Sequence, residues 1–198
     1  MKSIIQIFLI MVTLHATAQP IAQKGQKALD FTAKTIDGKT FKLSDFKGQK
    51  IFLSFYRNGA CALCNLRVHE ISQRQTDFDR AGIKIIAVFE SSIEDMKPYV
   101  GTQPLAFTLL SDPDAKLYAM YGIKNSPEAV DQVLKSGSAA GRVAEADAAG
   151  FKLTPQEGAN FFRIPAEVLI DETFNVVKIH HCNKLIDHLP LESILKFE

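Results

Sequence analysis

Cys61-Ala62-Leu63-Cys64 is the part of this chain best suited to chemistry. The apolar run Ile51-Phe52-Leu53-Ser54-Phe55-Tyr56 precedes it and reads as a buried strand. After it, Cys64, Val68, Ile71, Gln75 and Phe78 recur at helical spacing. A cysteine between a strand and a helix start meets unpaired backbone N–H groups and the positive end of the helix dipole, and both favour thiolate over thiol. Two cysteines one turn apart can also close a disulfide and so store two electrons. Thiol redox chemistry is the expected use. The alternatives are an inert disulfide, or half of a zinc site completed by His180-His181-Cys182. The zinc alternative is disfavoured because neighbouring residues on a strand point to opposite faces.

The surrounding elements read as an α/β domain. Phe31-Thr32-Ala33-Lys34 and Lys39-Thr40-Phe41-Lys42-Leu43 flank Asp37-Gly38, a turn dipeptide, and predict a hairpin. Gly82 ends the cysteine helix, and residues 83–89 predict a second buried strand. A short helical piece is expected over 92–100, a strand over 106–110, and a helix opened by Asp112-Pro113-Asp114 and closed by Gly122. Residues 166–170 and 174–179 predict a second hairpin, and 190–197 a closing helix. Residues 123–160, rich in Ser, Gly and Ala, are expected to form a flexible or helical insertion; it resembles a linker or lid, but a plain surface insertion is the preferred reading. Alternation of strands and helices implies a sheet covered on both faces, with reactive groups at the carboxyl ends of its strands.

The N-terminus carries a different signal. Met1-Lys2-Ser3 is a basic start, residues 4–14 are apolar, and Ala16-Thr17-Ala18 is a small-x-small cleavage site. These parts predict a signal peptide over 1–18, cut after Ala18, leaving a domain over 19–198 that is secreted or periplasmic. The apolar run is shorter than the ~20 residues a bilayer span needs. With 23 Lys and Arg against 22 Asp and Glu, the net charge is +1, and the charges are interspersed. No basic stripe suggests nucleic acid, and no membrane span is expected after signal removal.

Four blocks in order resemble the AhpC/TSA, peroxiredoxin-like family of the thioredoxin fold superfamily, with TlpA/ResA-like features. They are Ala28-Leu29-Asp30-Phe31-Thr32 running on to Leu43-Ser44-Asp45-Phe46-Lys47-Gly48; Phe55-Tyr56-Arg57-Asn58-Gly59-Ala60-Cys61-Ala62-Leu63-Cys64-Asn65-Leu66; Asp112-Pro113-Asp114 with Tyr121-Gly122-Ile123; and Ile164-Pro165-Ala166 ahead of Leu169-Ile170-Asp171. The resemblance implies a thioredoxin-like fold, with a central mixed sheet flanked by helices, an N-terminal β-hairpin and an insertion before the last hairpin. It implies peroxide reduction through a Cys61/Cys64 dithiol–disulfide cycle, or thiol–disulfide exchange on protein partners. A thiol reductant is needed; no metal or organic cofactor is.

In thioredoxin-like use Cys61 attacks and Cys64 resolves, whereas in peroxiredoxin-like use Cys64 holds the peroxidatic position. Pro165 is expected as a cis peptide facing the cysteines, with the Ile164 backbone free to pair with an incoming chain. The peroxiredoxin signature Pro-x-x-x-Thr/Ser-x-x-Cys is broken, because Arg57 holds its proline position and Cys61 its threonine position. The family's arginine near the last strand falls on Pro165; Arg57, Arg67 and Arg163 could each lower a thiol pKa or hold a peroxide, although each taken singly reads more readily as a solvated arginine, and Tyr56 is a candidate hydroxyl donor for which core packing is the simpler role. Arg67 and His69 read as solvated helix residues, the His180-His181 pair as structural, and Cys182 as a small buried apolar residue.

Overall fold

The structure, a computed structural model, describes residues 20–198, so the predicted signal peptide lies outside the described residues. Seven strands form one mixed sheet: β1 (Thr32–Thr35), β2 (Thr40–Lys42), β3 (Lys50–Tyr56), β4 (Ile83–Phe89), β5 (Thr108–Ser111), β6 (Ala166–Ile170) and β7 (Val176–His181). Their order is β2-β1-β5-β4-β3-β6-β7. β3 runs parallel to β4, and β4 to β5, while the other pairings are antiparallel. This is the α/β, thioredoxin-like arrangement that the sequence predicts.

β3 sits between two neighbours and is covered on both faces, so its sequence is a nearly unbroken apolar run. Its period of two divides the core. Phe52 and Tyr56 pack with the cysteines, Val68, Ile71 and Phe78 on one face, whereas Ile51, Leu53 and Phe55 pack with Leu117, Tyr118 and Tyr121 on the other. The first face carries α1 (Ala62–Gln73), α2 (Gln75–Arg80) and α3 (Ile93–Met96). The second carries α4 (Lys116–Met120), whose first N–H groups at Lys116 and Leu117 donate to the Asp112 carboxylate at 3.1 and 2.8 Å. One continuous helix was expected from the cysteines to Gly82, but Arg74 leaves helical geometry and splits it into α1 and α2.

The insertion is more ordered than its composition suggests. It forms α5 (Pro127–Ser136) and α6 (Ala140–Ala148). Ser126 caps α5, with its oxygen accepting the Ala129 N–H, and Pro127 stands where a missing N–H costs nothing. Gly137, at φ +62°, closes the helix in the left-handed region. Val130, Val133 and Ala139 enter the main core, and Ala146 packs on Ala62 and Leu66 of α1. Of the two alternatives, flexible or helical, 127–148 takes the helical one, with Ala139 and Ala146 serving as close-packing contacts. The chain then runs without regular structure to β6. A last short helix, α7 (Leu191–Leu195), closes the domain. No helix among the described residues is long and apolar enough to cross a membrane.

Pro165 departs from expectation, because every described peptide bond is trans. It stands immediately before β6, where a residue without an N–H is tolerated, and its carbonyl accepts the Cys182 N–H at 3.0 Å. Two isomers that differ by about 0.5–1 kcal/mol cannot be told apart from the block order of a sequence.

Candidate active site

Cys61 is the N-cap of α1, with extended backbone (φ −67°, ψ 110°). Its Sγ accepts the Cys64 N–H at 3.2 Å, so the sulfur fills the capping role that an oxygen usually fills. Cys61 and Cys64 are joined as a disulfide with Cα atoms 5.2 Å apart. Both are buried, and Cys61 lines an opening cavity while Cys64 does not. The loop before them is fixed at several points. Asn65 Nδ2 donates to the carbonyls of Gly59 and Cys61 at 2.7 and 3.0 Å, and the Gly59 N–H donates to Ser91 Oγ at 3.0 Å. Gly59 cannot be replaced without movement, since a Cβ there would lie 2.9 Å from the Asp95 carbonyl oxygen and the Met96 Cα.

Arg57, directly after β3, is only 4% exposed. Its Nη2 donates to Cys61 Sγ at 3.1 Å and its Nη1 to the Phe161 carbonyl at 3.3 Å, with the guanidinium 5.4 Å from the Phe161 ring centroid. It has no carboxylate partner among the described residues. Burial pulls its pKa down to about 10, so it remains a cation at neutral pH. A buried positive charge therefore faces the sulfur that sits at the helix start.

The other predicted site residues are engaged elsewhere. Arg163 is committed to Glu90, at 2.5 Å through Nε, and to the Ile123 carbonyl at 2.7 Å, and it lies over the Tyr118 ring. Tyr56 is fully buried against Phe89 and His188, and burial pushes its pKa up. Its hydroxyl has no partner among the described residues and makes no hydrogen bond to either cysteine. Ile164 is buried in the same core as the cysteines, and its N–H donates to the Lys124 carbonyl at 3.4 Å. With Pro165 it lines a separate cavity of about 420 Å³, which His181 and Cys182 also border.

The sequence reading missed a buried ion pair. Arg67, read as solvated, is 6% exposed, and its Nη2 donates to Glu167 Oε1 at 2.9 Å and to the Leu189 carbonyl at 2.7 Å. Glu167 is fully buried in β6 and also accepts the Leu189 N–H at 2.6 Å and meets His188 Nδ1 at 3.1 Å. Burial pushes the Glu167 carboxyl up, but His188 and Arg67 outweigh it and hold the pKa below the ordinary value. A glutamate inside the apolar run Ala166-Glu167-Val168-Leu169-Ile170 was the available signal, because a buried carboxylate demands a cation.

Cys182 is buried and its thiol is pushed well up by burial, which fits the expected packing role. His180 Nε2 meets the Asp187 carbonyl at 2.5 Å, and His69 lies edge-on to Phe151. Among the described residues no group of three or more His, Cys, Asp or Glu is placed to hold a metal ion.

Comparison with known proteins agrees with this architecture. The AhpC/TSA family model matches residues 24–179. The chloroplastic peroxiredoxin Q of Populus jackii is 31% identical over 100 residues, which cover 50% of this chain and 47% of that protein. Peroxiredoxin Bcp of Escherichia coli (strain K12) is 25% identical over 99 residues, covering 50% of this chain and 64% of that protein. The matched region thus spans 47–64% of these relatives' length. Among solved structures, peroxidoxin BcpB of Mycobacterium tuberculosis superposes with a TM-score of 0.62 at 15% identity, covering 88% of this chain and 94% of that one. A Chlorobium tepidum protein assigned as thiol:disulfide interchange protein DsbE superposes with a TM-score of 0.55 at 22% identity, covering 81% and 86%. At those identities the structural likenesses establish the fold.

Proposed function

The chain belongs to the AhpC/TSA family, and from that premise we propose that it is an exported thiol-dependent oxidoreductase that reduces peroxides through a Cys61/Cys64 cycle. The observation that carries this reading is the Cys61 sulfur, held between the Cys64 N–H and the buried Arg57 cation. Both donors stabilise a thiolate more than a thiol, which favours Cys61 as the attacking cysteine over Cys64, the residue that the peroxiredoxin signature puts in the peroxidatic position. Its thiolate attacks one peroxide oxygen, the O–O bond breaks, and the alcohol or water leaves with a proton. The Cys61 sulfenic acid then condenses with the Cys64 thiol, one turn away, releasing water and forming the disulfide. A thiol reductant returns two electrons, and the cycle uses no metal or organic cofactor. The export part of this reading is supported by the basic start, the apolar run and the small-x-small site that ends at Ala18. N-terminal sequencing of protein recovered from outside the cytoplasm tests that part.

The test of the chemistry is peroxide consumption driven by dithiothreitol. Cys61→Ser abolishes it, and Cys64→Ser, assayed without dithiothreitol, consumes one equivalent of peroxide and holds a Cys61 sulfenic acid that can be trapped. Loss of the first oxidation in Cys64→Ser, with its retention in Cys61→Ser, would reverse the roles.

A second reading is exchange with protein disulfides through a mixed disulfide at Cys61. It is favoured by one observation: Cys61 holds the threonine position of the peroxiredoxin signature, so that hydroxyl donor to a peroxide is missing. Insulin reduction that depends on Cys61 while peroxide consumption is absent would select it.

A further inference from the structure

A cavity opens beside Cys61. It encloses about 240 Å³ and is lined by Arg57, Cys61, Leu153, Pro155, Gln156 and Phe161, among others. Most of one wall comes from the irregular segment that follows α6. Its apolar groups are the Leu153, Pro155 and Phe161 side chains, and no acidic residue lines it. One polar group in it, the Arg57 guanidinium, is incompletely used. Arg57 spends two of its N–H donors on Cys61 and the Phe161 carbonyl, and no described carboxylate balances its charge. Gln156 Oε1 is shielded from solvent and accepts no hydrogen bond among the described residues.

These features match one kind of molecule. With the pair oxidised, the next reactant at Cys61 must be a thiolate, and a buried cation beside that sulfur attracts anions. A carboxylate on the same molecule takes the free edge of the guanidinium, the group best suited to bind carboxylates through paired hydrogen bonds.

We propose that this cavity binds a small cysteine-derived thiol with a free α-carboxylate, and that this molecule is the reductant of the Cys61–Cys64 disulfide. The inference rests on the redox reading above. The small thiolate attacks Cys61 Sγ, the Cys61–Cys64 bond breaks, and Cys64 leaves as a thiolate that takes up a proton. A second small thiolate attacks the small-molecule sulfur of the mixed disulfide. Cys61 leaves as a thiolate paired with Arg57, and the small thiols depart as their own disulfide, having supplied both electrons.

The test compares N-acetylcysteine with N-acetylcysteamine, which lacks only the carboxylate. Stopped-flow rates of reduction of the oxidised protein are measured at equal thiolate concentration, each divided by that thiol's rate on hydroxyethyl disulfide. The expected ratio is about tenfold or more in favour of the carboxylate thiol, in keeping with a charge-assisted pair. Arg57→Gln brings the ratio to near one. Gln156→Glu, which places a carboxylate in the cavity, also collapses it and does not depend on the Arg57 variant folding. A ratio near one in the unaltered protein, or a ratio that survives both substitutions, overturns the proposal. So does a protein dithiol that reduces the disulfide rapidly while neither small thiol does. Dithiothreitol separates the levels: if it reduces the pair but the carboxylate gives no preference, only this inference fails. If dithiothreitol frees no thiols from the folded protein, the redox reading fails with it.

Discussion

Replacing Arg57 by methionine, which keeps bulk and removes charge, is the sharpest perturbation of the site. In the reduced protein the guanidinium that now stands 3.1 Å from Cys61 Sγ is the nearest compensating charge. Two unit charges about 4 Å apart attract by about 4 kcal/mol at an effective dielectric constant of about 20. Desolvation of the thiolate cancels part of this, leaving a pKa effect of about 2 units, inside the usual range for an opposite charge at contact. The Cys61 pKa is therefore expected to rise by about 2 units in Arg57→Met, equivalent to about 2.7 kcal/mol. The reduced form loses that stabilisation above the thiol pKa, so the reduction potential of the pair falls by about 60 mV. In the oxidised form the same cation faces a neutral sulfur, and its removal relieves a buried charge, which moves the potential in the same direction. Thiolate ultraviolet absorbance against pH and equilibration with redox buffers measure the two quantities. A Cys61 pKa within about half a unit of the unaltered protein, or a potential that rises, would refute the reasoning.

The remaining predictions concern the scaffold. Glu167→Ala removes the nearer and fully buried of Arg67's two carboxylates, leaving only Glu70 at 3.9 Å, and should lower stability by about 3 kcal/mol in urea unfolding. The Glu167 carboxyl is held below its ordinary value of 4.5, so the unfolded chain binds this proton more readily than the fold. Its contribution is complete above pH 4.5 and is lost as pH falls through the folded value; thermal scans from pH 6 downward should show a fall that Glu167→Gln blunts. Gly59→Ala forces a methyl group against the Asp95 carbonyl and should cost about 1–3 kcal/mol and slow disulfide formation, read from unfolding and from oxidation kinetics.

Much of the fold was legible because local patterns specified it. The Asp37-Gly38 turn, with Gly38 at φ +80°, and the apolar runs at 51–56 and 83–89 came out as the hairpin, β3 and β4. The insertion was left open between flexible and helical because alanine and serine composition resembles a linker, whereas Ala146 is small so that α6 can approach α1 closely. Arg67 was taken as solvated because helix periodicity reports which face a residue occupies but not what packs on it. Its partner Glu167 lies 100 positions away along the chain.

The sequence alone determined that a paired thiol site stands where a buried strand gives way to a helix, since strand period, turn and helix spacing are encoded by neighbours. Only the tertiary structure decided which cations serve which groups. Arg163, Arg67 and Arg57 look alike along the chain, yet Glu90 and Glu167 neutralise the first two, and the third is left facing Cys61. The reason is physical: a buried charge is balanced by whatever the fold brings within a few ångströms, and that company is chosen by strand order and register rather than by adjacent residues.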